Sequence, residues 1–238
     1  MPVVDGSPKA KYLSKKEQLK SEYTLSPLMP AKAISSAKEA AEFHRRYELL
    51  SSIAEGSFGT VWCARDKNWV RQRRQVVKVA VKIVDHGGED AELVQNEAEM
   101  HKKLFAGGTS SPLLVQLHDV LFEDARALLV LDLFDDGEEL RRRIDAAPQG
   151  RLAESAAAPI VRQLAQALSF MHSKHVAHLD VKPENILVDS RPRLKLLDYG
   201  SACAMDRPDA PGGGLVQDIG GTDRYMAPER LALPSPSS

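Results

Sequence analysis

From Tyr47 onward, the chain alternates short apolar runs with polar and turn residues, which is the pattern of β-strands. We predict strands at Tyr47–Ala54, Thr60–Arg65, Val76–Val84, Leu113–Phe122 and Ala127–Phe134. A helix at Glu89–Leu104, indicated by its composition and by the two glycines that follow, interrupts this series. The first half of the folded region is therefore expected to be an antiparallel sheet with one helix.

The pattern changes at Asp135–Gly137, after which helical periodicity replaces alternation. We predict a short helix at Glu138–Asp145 and a long helix at about Ser155–Lys174. The apolar residues that recur at helical spacing along the long helix, and that predict its buried face, are Ile160, Leu164, Leu168 and Met171. The sequence thus predicts an α+β fold, with a strand-rich lobe at 46–134 and a helix-rich lobe at 135–238.

Residues 1–45 carry lysines among serine, proline and alanine, with little apolar periodicity. Such a segment buries too little apolar surface to fold alone, so we predict a largely disordered extension. A docking or autoinhibitory segment is the alternative interpretation. A short helix is expected at Ser36–Arg46, directly before the folded region.

The overall composition narrows the range of functions. The formal net charge is −1, which favours neither a nucleic-acid nor a membrane partner. The two cysteines, Cys63 and Cys203, lack paired spacing, so we interpret them as reduced thiols of a cytoplasmic protein. The N-terminus shows no signal peptide, and no apolar run approaches the ~18 residues of a membrane span.

The strongest chemical signal is the segment His-Leu-Asp-Val-Lys-Pro-Glu-Asn at 178–185, followed by Asp-Tyr-Gly at 198–200. It places Asp180, Lys182 and Asn185 in one short loop, and Asp198 thirteen residues past the asparagine. Phosphoryl transfer from ATP needs such a set: a carboxylate for the attacking hydroxyl, a cation for the moving charge, and oxygen ligands for Mg²⁺. The sequence therefore predicts a phosphotransferase site.

Two further motifs precede this loop. A glycine turn, Ala-Glu-Gly-Ser-Phe-Gly-Thr-Val at 54–61, lies between two predicted strands, which excludes dinucleotide-binding and Walker-type loops that open a helix. Lys82 follows on a strand, where it shares a face with Ala80. Fifteen residues later, Glu97 lies in the predicted helix as a partner for Lys82. Glu99 is the alternative partner, and only one of the two acids can face the lysine.

Taken together in this order, the motifs resemble those of a eukaryotic protein kinase catalytic domain, from Tyr47 to the Ala-Pro-Glu at 227–229. With a lysine two residues after Asp180, the loop resembles that of serine/threonine kinases rather than that of tyrosine kinases. The resemblance implies ATP and Mg²⁺ as cofactors, Asp180 and Lys182 as catalytic residues, and Asn185 and Asp198 as metal ligands. The nucleotide-binding positions that it implies are Ala54, Glu55, Gly56, Ser57, Phe58, Gly59, Val61, Ala80, Lys82, Glu97, Asp132, Glu138 and Leu187. Thr222 is expected to bond near Asp180 and Lys182.

The chain departs from the family pattern at three positions of the motifs. Ala54 replaces the first glycine of the family's glycine turn. Leu179 replaces the arginine that normally pairs with an activation-loop phosphate. His-Leu-Asp is similar to the loop of myosin light-chain and Trio-type kinases in the calmodulin-dependent group. Tyr199 stands where phenylalanine is usual, and we predict that its ring contacts His101 and finds a hydrogen-bond partner there.

The chain ends nine residues after Glu229, so the resemblance implies an incomplete helical lobe. We expect either a fragment of a longer product or a poorly stable lobe that needs a stabilising partner. A catalytically impaired, pseudokinase-like fragment that binds nucleotide or a partner protein is therefore the alternative function. Glu138 and Glu184 match family positions that face the ribose or a basic residue, which favours basic protein substrates. A small-molecule phosphotransferase is disfavoured by the segment at 222–229, which builds a peptide-binding shelf in the family.

Overall fold

The computed structural model describes residues 37–56, 59–68, 77–85, 91–123, 126–205 and 221–231. Its helices are α1 (Ala37–Arg46), α2 (Ala91–Leu104), α3 (Leu140–Ala146), α4 (Glu154–Ser173) and α5 (Pro228–Leu231). The longer strands are β1 (Tyr47–Gly56), β2 (Gly59–Asp66), β3 (Val77–Asp85), β4 (Leu117–Phe122) and β5 (Arg126–Asp132). The shorter strands are β6 (Glu138–Glu139), β7 (Val176–Ala177), β8 (Ile186–Val188), β9 (Leu194–Leu196) and β10 (Cys203–Ala204). Ser57, Phe58 and most of the predicted extension lie outside the described residues.

The strand-rich lobe is built on a sheet whose described strands follow the order β1-β2-β3-β5-β4, all antiparallel. Alternation along β3 sends Val79 and Val81 into a core with Phe43 of α1. Val84, from the opposite face of β3, packs with Val94 of α2. The sheet is thus covered by α1 on one face and α2 on the other, which confirms the predicted antiparallel lobe.

Helix α1 agrees with the prediction of a helix at Ser36–Arg46, but it is not a detached extension. Phe43 is buried and its ring lies 4.8 Å from that of Tyr47. Arg46 forms a bidentate ion pair with the buried Asp66 and reaches Asp119 of β4 at 3.3 Å. The folded region therefore begins before the predicted boundary, because the side chains of this helix complete the sheet's core.

The helix-rich lobe has α4 at its centre. Ile160 and Met171 are fully buried there, and Leu164 and Leu168 pack against the same core, which confirms the predicted face. Two small sheets lie beside α4 in the described residues, with strand orders β6-β8-β9 and β7-β10. None of the helices in these residues is long and apolar enough to cross a membrane.

Two predicted boundaries were wrong for a physical reason. Leu113–Gln116 does not extend β4, because Leu113 and Val115 hydrogen-bond to Leu196 of β9 in the other lobe. Glu138 and Glu139 do not begin a helix, because they pair with β8 before α3 starts at Leu140. Both exceptions are long-range backbone pairings, which a local pattern does not reveal.

The described residues 37–226 belong to one compact unit, whereas α5 belongs to a second unit. In α5, the carbonyl of Ala227 accepts hydrogen bonds from the backbone N–H groups of Arg230 and Leu231. Neither Cys63 nor Cys203 forms a disulfide.

Candidate active site

Lys82 points from β3 towards α2 and the second lobe. Its Nζ lies 2.9 Å from Glu97 Oε2 and 3.8 Å from Asp198 Oδ1. Burial lowers the pKa of Lys82, but the neighbouring charges of Glu97 and Asp198 outweigh burial and raise the pKa above its ordinary value. Lys82 is therefore held as a cation, and Glu97 rather than Glu99 is its partner.

The glycine turn closes the β1–β2 hairpin next to this lysine. Gly56 pairs with Gly59, where φ is +118° and an added Cβ would lie 1.9 Å from the carbonyl oxygen of Ile83. A side chain at Gly59 would thus displace the hairpin from β3. Ala54 and Glu55 end the β1 side of the hairpin, opposite Val61 and Thr60.

One face of the five-stranded sheet carries three predicted nucleotide-binding residues: Val61, Ala80 and Lys82. Val61 lies directly opposite Lys82 in the β2–β3 pairing, and opposed residues point to the same side. Ala80 follows on that side by alternation and is buried, with 8% of its surface exposed. Leu187 lies on β8 and is half-buried. Because the side chain of Ala80 is short, it leaves space on this face beside Lys82.

The loop at 178–185 converges on the Asp180 carboxylate. Lys182 Nζ donates to Oδ2 at 2.6 Å, the Thr222 hydroxyl donates to Oδ1 at 2.6 Å, and Asn185 Nδ2 donates to Oδ2 at 3.1 Å. Lys182 also donates to Thr222 Oγ1 at 2.9 Å, which confirms the predicted position of Thr222. Burial raises the pKa of Asp180, but these hydrogen bonds outweigh it and lower the pKa, so the group is ionised at neutral pH.

His178 links this loop to the segment that contains Asp198. Its Nε2 donates to the Leu197 carbonyl at 2.9 Å, and its Nδ1 accepts from the backbone N–H of Asp180 at 3.3 Å. Burial lowers the pKa of His178, so the ring is neutral and can fill both roles. Sequence reasoning gave His178 no role, although its place two residues before Asp180 was a usable signal.

Asn185 and Asp198 fit the predicted Mg²⁺ site. Asn185 uses its amide nitrogen on Asp180, at 2.8 Å from the backbone oxygen, which leaves its carbonyl oxygen for a cation. Asp198 adopts φ +62°, and its Oδ1 accepts a hydrogen bond from the Gly200 N–H. No group of three His, Cys, Asp or Glu side chains in the described residues could hold a metal. Two oxygen ligands are nevertheless what Mg²⁺ commonly takes from a protein when phosphates and water supply the rest.

The ring of Tyr199 contacts His101 as predicted, with centroids 4.6 Å apart. The predicted hydrogen bond between them was wrong. The buried Tyr199 hydroxyl lies 3.2 Å from the Val115 carbonyl and 3.1 Å from that of Leu196, and His101 Nδ1 instead accepts the Leu117 N–H. The phenol is thus satisfied by the backbone that joins the lobes.

The side chain of Asp132 is already engaged by other residues. His118 and Lys195 lie 2.7 and 2.8 Å from its two oxygens. Burial by itself raises the pKa of Asp132, but the hydrogen bonds from His118 and Lys195 outweigh it and lower the pKa to about 2. Its backbone N–H is also engaged, since it donates to the Gln116 carbonyl at 3.0 Å.

Glu138 lies on β6 at an exposed position. Its carboxylate lies 2.6 Å from Arg143 Nε, and its strand partner is Val188. Glu139 lies opposite Leu187 and shares that residue's face of the sheet. The pairing of β6 fixes which side each glutamate takes, which a prediction of helix at these residues does not show.

Known proteins resemble this chain over most of its length. The protein kinase domain family matches residues 47–237. Among curated proteins, the chain is 36% identical over 192 residues to CBL-interacting protein kinase 9 of Oryza sativa subsp. japonica, covering 79% of this chain and 38% of the relative. It is 38% identical to putative CBL-interacting protein kinase 27 of the same species, and 32% identical to serine/threonine-protein kinase SRK2A of Physcomitrium patens, at 79% of this chain in each case. The chain spans 43% and 49% of those two relatives.

Proposed function

Because the chain belongs to the protein kinase domain family, we propose that it transfers the γ-phosphoryl group of ATP to serine or threonine hydroxyls of proteins. In this reaction the substrate hydroxyl donates its proton to Asp180 while its oxygen bonds to the γ-phosphorus, and the bond to ADP breaks. Lys182, 2.6 Å from Asp180, balances the charge that moves between the two oxygens.

The nucleotide is proposed to lie against the face formed by Val61, Ala80 and Lys82, with the Gly56–Gly59 turn over its phosphates. Lys82, fixed by Glu97, binds the α- and β-phosphates. Asn185 and Asp198 hold Mg²⁺, which when bound offsets negative charge on the phosphate oxygens. Each of these protein groups is oriented by another side chain or by backbone, so little reorganisation is needed at the moment of transfer.

One observation carries the proposal: Asp180 is kept ionised and fixed by three donors that come from the loop and from Thr222. A base must be both unprotonated and positioned to take up a hydroxyl proton. The alternative, a scaffold that binds nucleotide without transfer, would not require this arrangement of Lys182 and Thr222.

We further propose a basic protein substrate and a cytoplasmic location. Glu138 pairs with Arg143 at 2.6 Å, and Glu139 lies 3.6 Å from Arg142. The exposed Glu184, which has no ion pair among the described residues, is therefore the better candidate for a ribose or a basic substrate residue. The two thiols outside any disulfide support a reducing compartment. The calmodulin-dependent subgroup suggested by His-Leu-Asp stays a prediction.

The test is phosphorylation of an arginine-rich peptide by the purified chain with MgATP, and with Asp180→Asn as the variant. We expect the variant to lose about 10²–10⁴-fold in kcat, the usual contribution of a positioned base. Asp223→Asn, at an exposed position one residue after Thr222, is the matched control and is expected to retain activity.

A binding measurement distinguishes the two functions. MgATP at ~100 times Kd is expected to stabilise the wild type by ~2.7 kcal/mol in thermal unfolding. Stabilisation without any peptide phosphorylation would favour the scaffold. Absence of both would contradict nucleotide binding and transfer together.

A further inference from the structure

Asn96, in the middle of α2, makes an unusual long-range contact. Its Nδ2 donates one hydrogen bond to the Gly200 carbonyl at 3.0 Å and another to the Ala202 carbonyl at 2.8 Å. Asparagine is a poor residue for a helix interior, because its side chain competes for backbone hydrogen bonds. Here both protons of the amide are matched to two backbone acceptors, so the residue has a role outside its own helix.

The two acceptors lie two and four residues after Asp198 in the chain. Asp198 Oδ1 accepts the N–H of Gly200, so the backbone that Asn96 holds also orients the proposed metal ligand. The next residue of α2 is Glu97, which holds Lys82. Successive helical positions point about 100° apart, so Asn96 and Glu97 reach different partners from one turn. Helix α2 thereby contacts both the phosphate-binding cation and the metal-binding segment.

We propose that Asn96 is a positioning residue for Mg²⁺ binding: it fixes the Gly200–Ala202 backbone against α2 and so sets the direction of the Asp198 carboxylate. This inference rests on the proposed function, because it takes Asp198 as a metal ligand. Groups that orient a metal ligand typically affect metal affinity or activity by about 10–100-fold. The Tyr199 hydroxyl bonds independently to Val115 and Leu196, so the lower end of that range is expected.

The experiment compares Asn96→Ala with Gln95→Ala in the full chain. Gln95 is the neighbouring half-buried position on α2, and its side chain makes no hydrogen bond among the described residues. For each protein we would measure binding of a fluorescent ATP analogue with EDTA and across a Mg²⁺ titration, and then kcat across the same titration.

Asn96→Ala is expected to raise the half-saturating Mg²⁺ concentration about tenfold in both binding and activity. Analogue binding in EDTA should stay within about twofold, and Gln95→Ala should resemble the wild type. Asn96→Ser, which keeps a single donor, should lie between the two. It also serves as the test if the alanine variant does not fold.

An unchanged Mg²⁺ requirement in Asn96→Ala or Asn96→Ser would overturn the inference, whatever happens to kcat. An equal change in Gln95→Ala would do the same, because it would indicate a general loosening of α2. A wild type that binds the Mg²⁺–nucleotide complex but transfers no phosphate would contradict the proposed function. The Mg²⁺ dependence of analogue binding would then still test the role of Asn96. A wild type that binds no such complex would overturn both.

Discussion

His101 occupies a position where a charge is costly. It is 3% exposed, its ring lies against Tyr199, and its Nδ1 accepts the Leu117 N–H. Burial, and next the nearby cation of Lys82, lower the pKa of His101 to about 3. The imidazole is therefore neutral throughout the physiological range, and it can serve as an acceptor in the core.

This burial predicts acid sensitivity of the fold. The unfolded chain takes up a proton at His101 near pH 6.5 and the folded chain only near pH 3, so protonation favours unfolding. Above pH 6.5 the imidazole of His101 is neutral in both states, so its titration does not lower the free energy of unfolding. Below pH 6.5, this group should lower the free energy of unfolding by about 1.4 kcal/mol per pH unit.

The measurement is urea unfolding at several pH values between 7 and 4. His101→Leu should show a shallower loss of stability with acid than the wild type. His172→Gln, at an exposed position near the end of α4, is the matched control and should keep the wild-type slope. Equal slopes for wild type and His101→Leu would mean that His101 does not titrate as its burial implies.

The end of β5 is joined to both lobes by side chains. Asp132 receives Lys195 from β9 and His118 from β4, and Lys195 Nζ also donates to the Leu114 carbonyl at 2.9 Å. Three elements thus meet at the junction of the lobes. The network fixes where the end of β5 lies relative to β9.

Asp132→Asn tests this junction. The folded pKa of about 2 lies below the unfolded value near 3.8, so the ionised group contributes stability above pH 3.8 that is lost as pH falls towards 2. The difference corresponds to about 2 kcal/mol at neutral pH. We expect urea unfolding at pH 7 to show a loss of this order.

Asp145→Asn is the comparison, because it removes an ion pair of similar geometry that is exposed on α3. Exposed pairs contribute little, so this variant should match the wild type. If Asp132→Asn also matched the wild type, the junction would be held by the Leu113–Leu196 backbone bonds instead.

The types and order of the elements could be predicted from local patterns, whereas their exact limits depended on partners elsewhere in the chain. The pairing of Lys82 with Glu97 was predictable from local geometry. Alternation along a strand fixes which side chains share a face, and the angular spacing of a helix allows only one of Glu97 and Glu99 to face the lysine. The hydroxyl of Tyr199 was assigned to the wrong partner. Its acceptors, the carbonyls of Val115 and Leu196, are brought together by the lobe junction, which no spacing along the sequence reveals.

Across the described unit, contacts within the chain hold the residues on both sides of 206–220. At one end β10 pairs with β7, and Met205 N–H donates to the His175 carbonyl at 2.9 Å. At the other, Thr222 bonds Asp180 and Lys182, and Gly221 approaches so closely that an added Cβ would lie 2.4 Å from the Leu179 carbonyl. Both described ends of the segment are therefore fixed by contacts within the chain.

We therefore expect activity that does not depend on activation-segment phosphorylation. Leu179, at φ +63°, replaces the arginine that would pair with such a phosphate, so a phosphate there has lost its main cation. Phosphatase treatment should leave kcat/KM of the wild type within about twofold, because a phosphate on the segment has no arginine at position 179 to bind. A tenfold change would correspond to a loss of about 1.4 kcal/mol of transition-state stabilisation. Leu179→Arg restores the cation at the same backbone position, and its activity should become sensitive to phosphatase. A tenfold loss in treated wild type would show that the segment needs a phosphate despite its anchored ends.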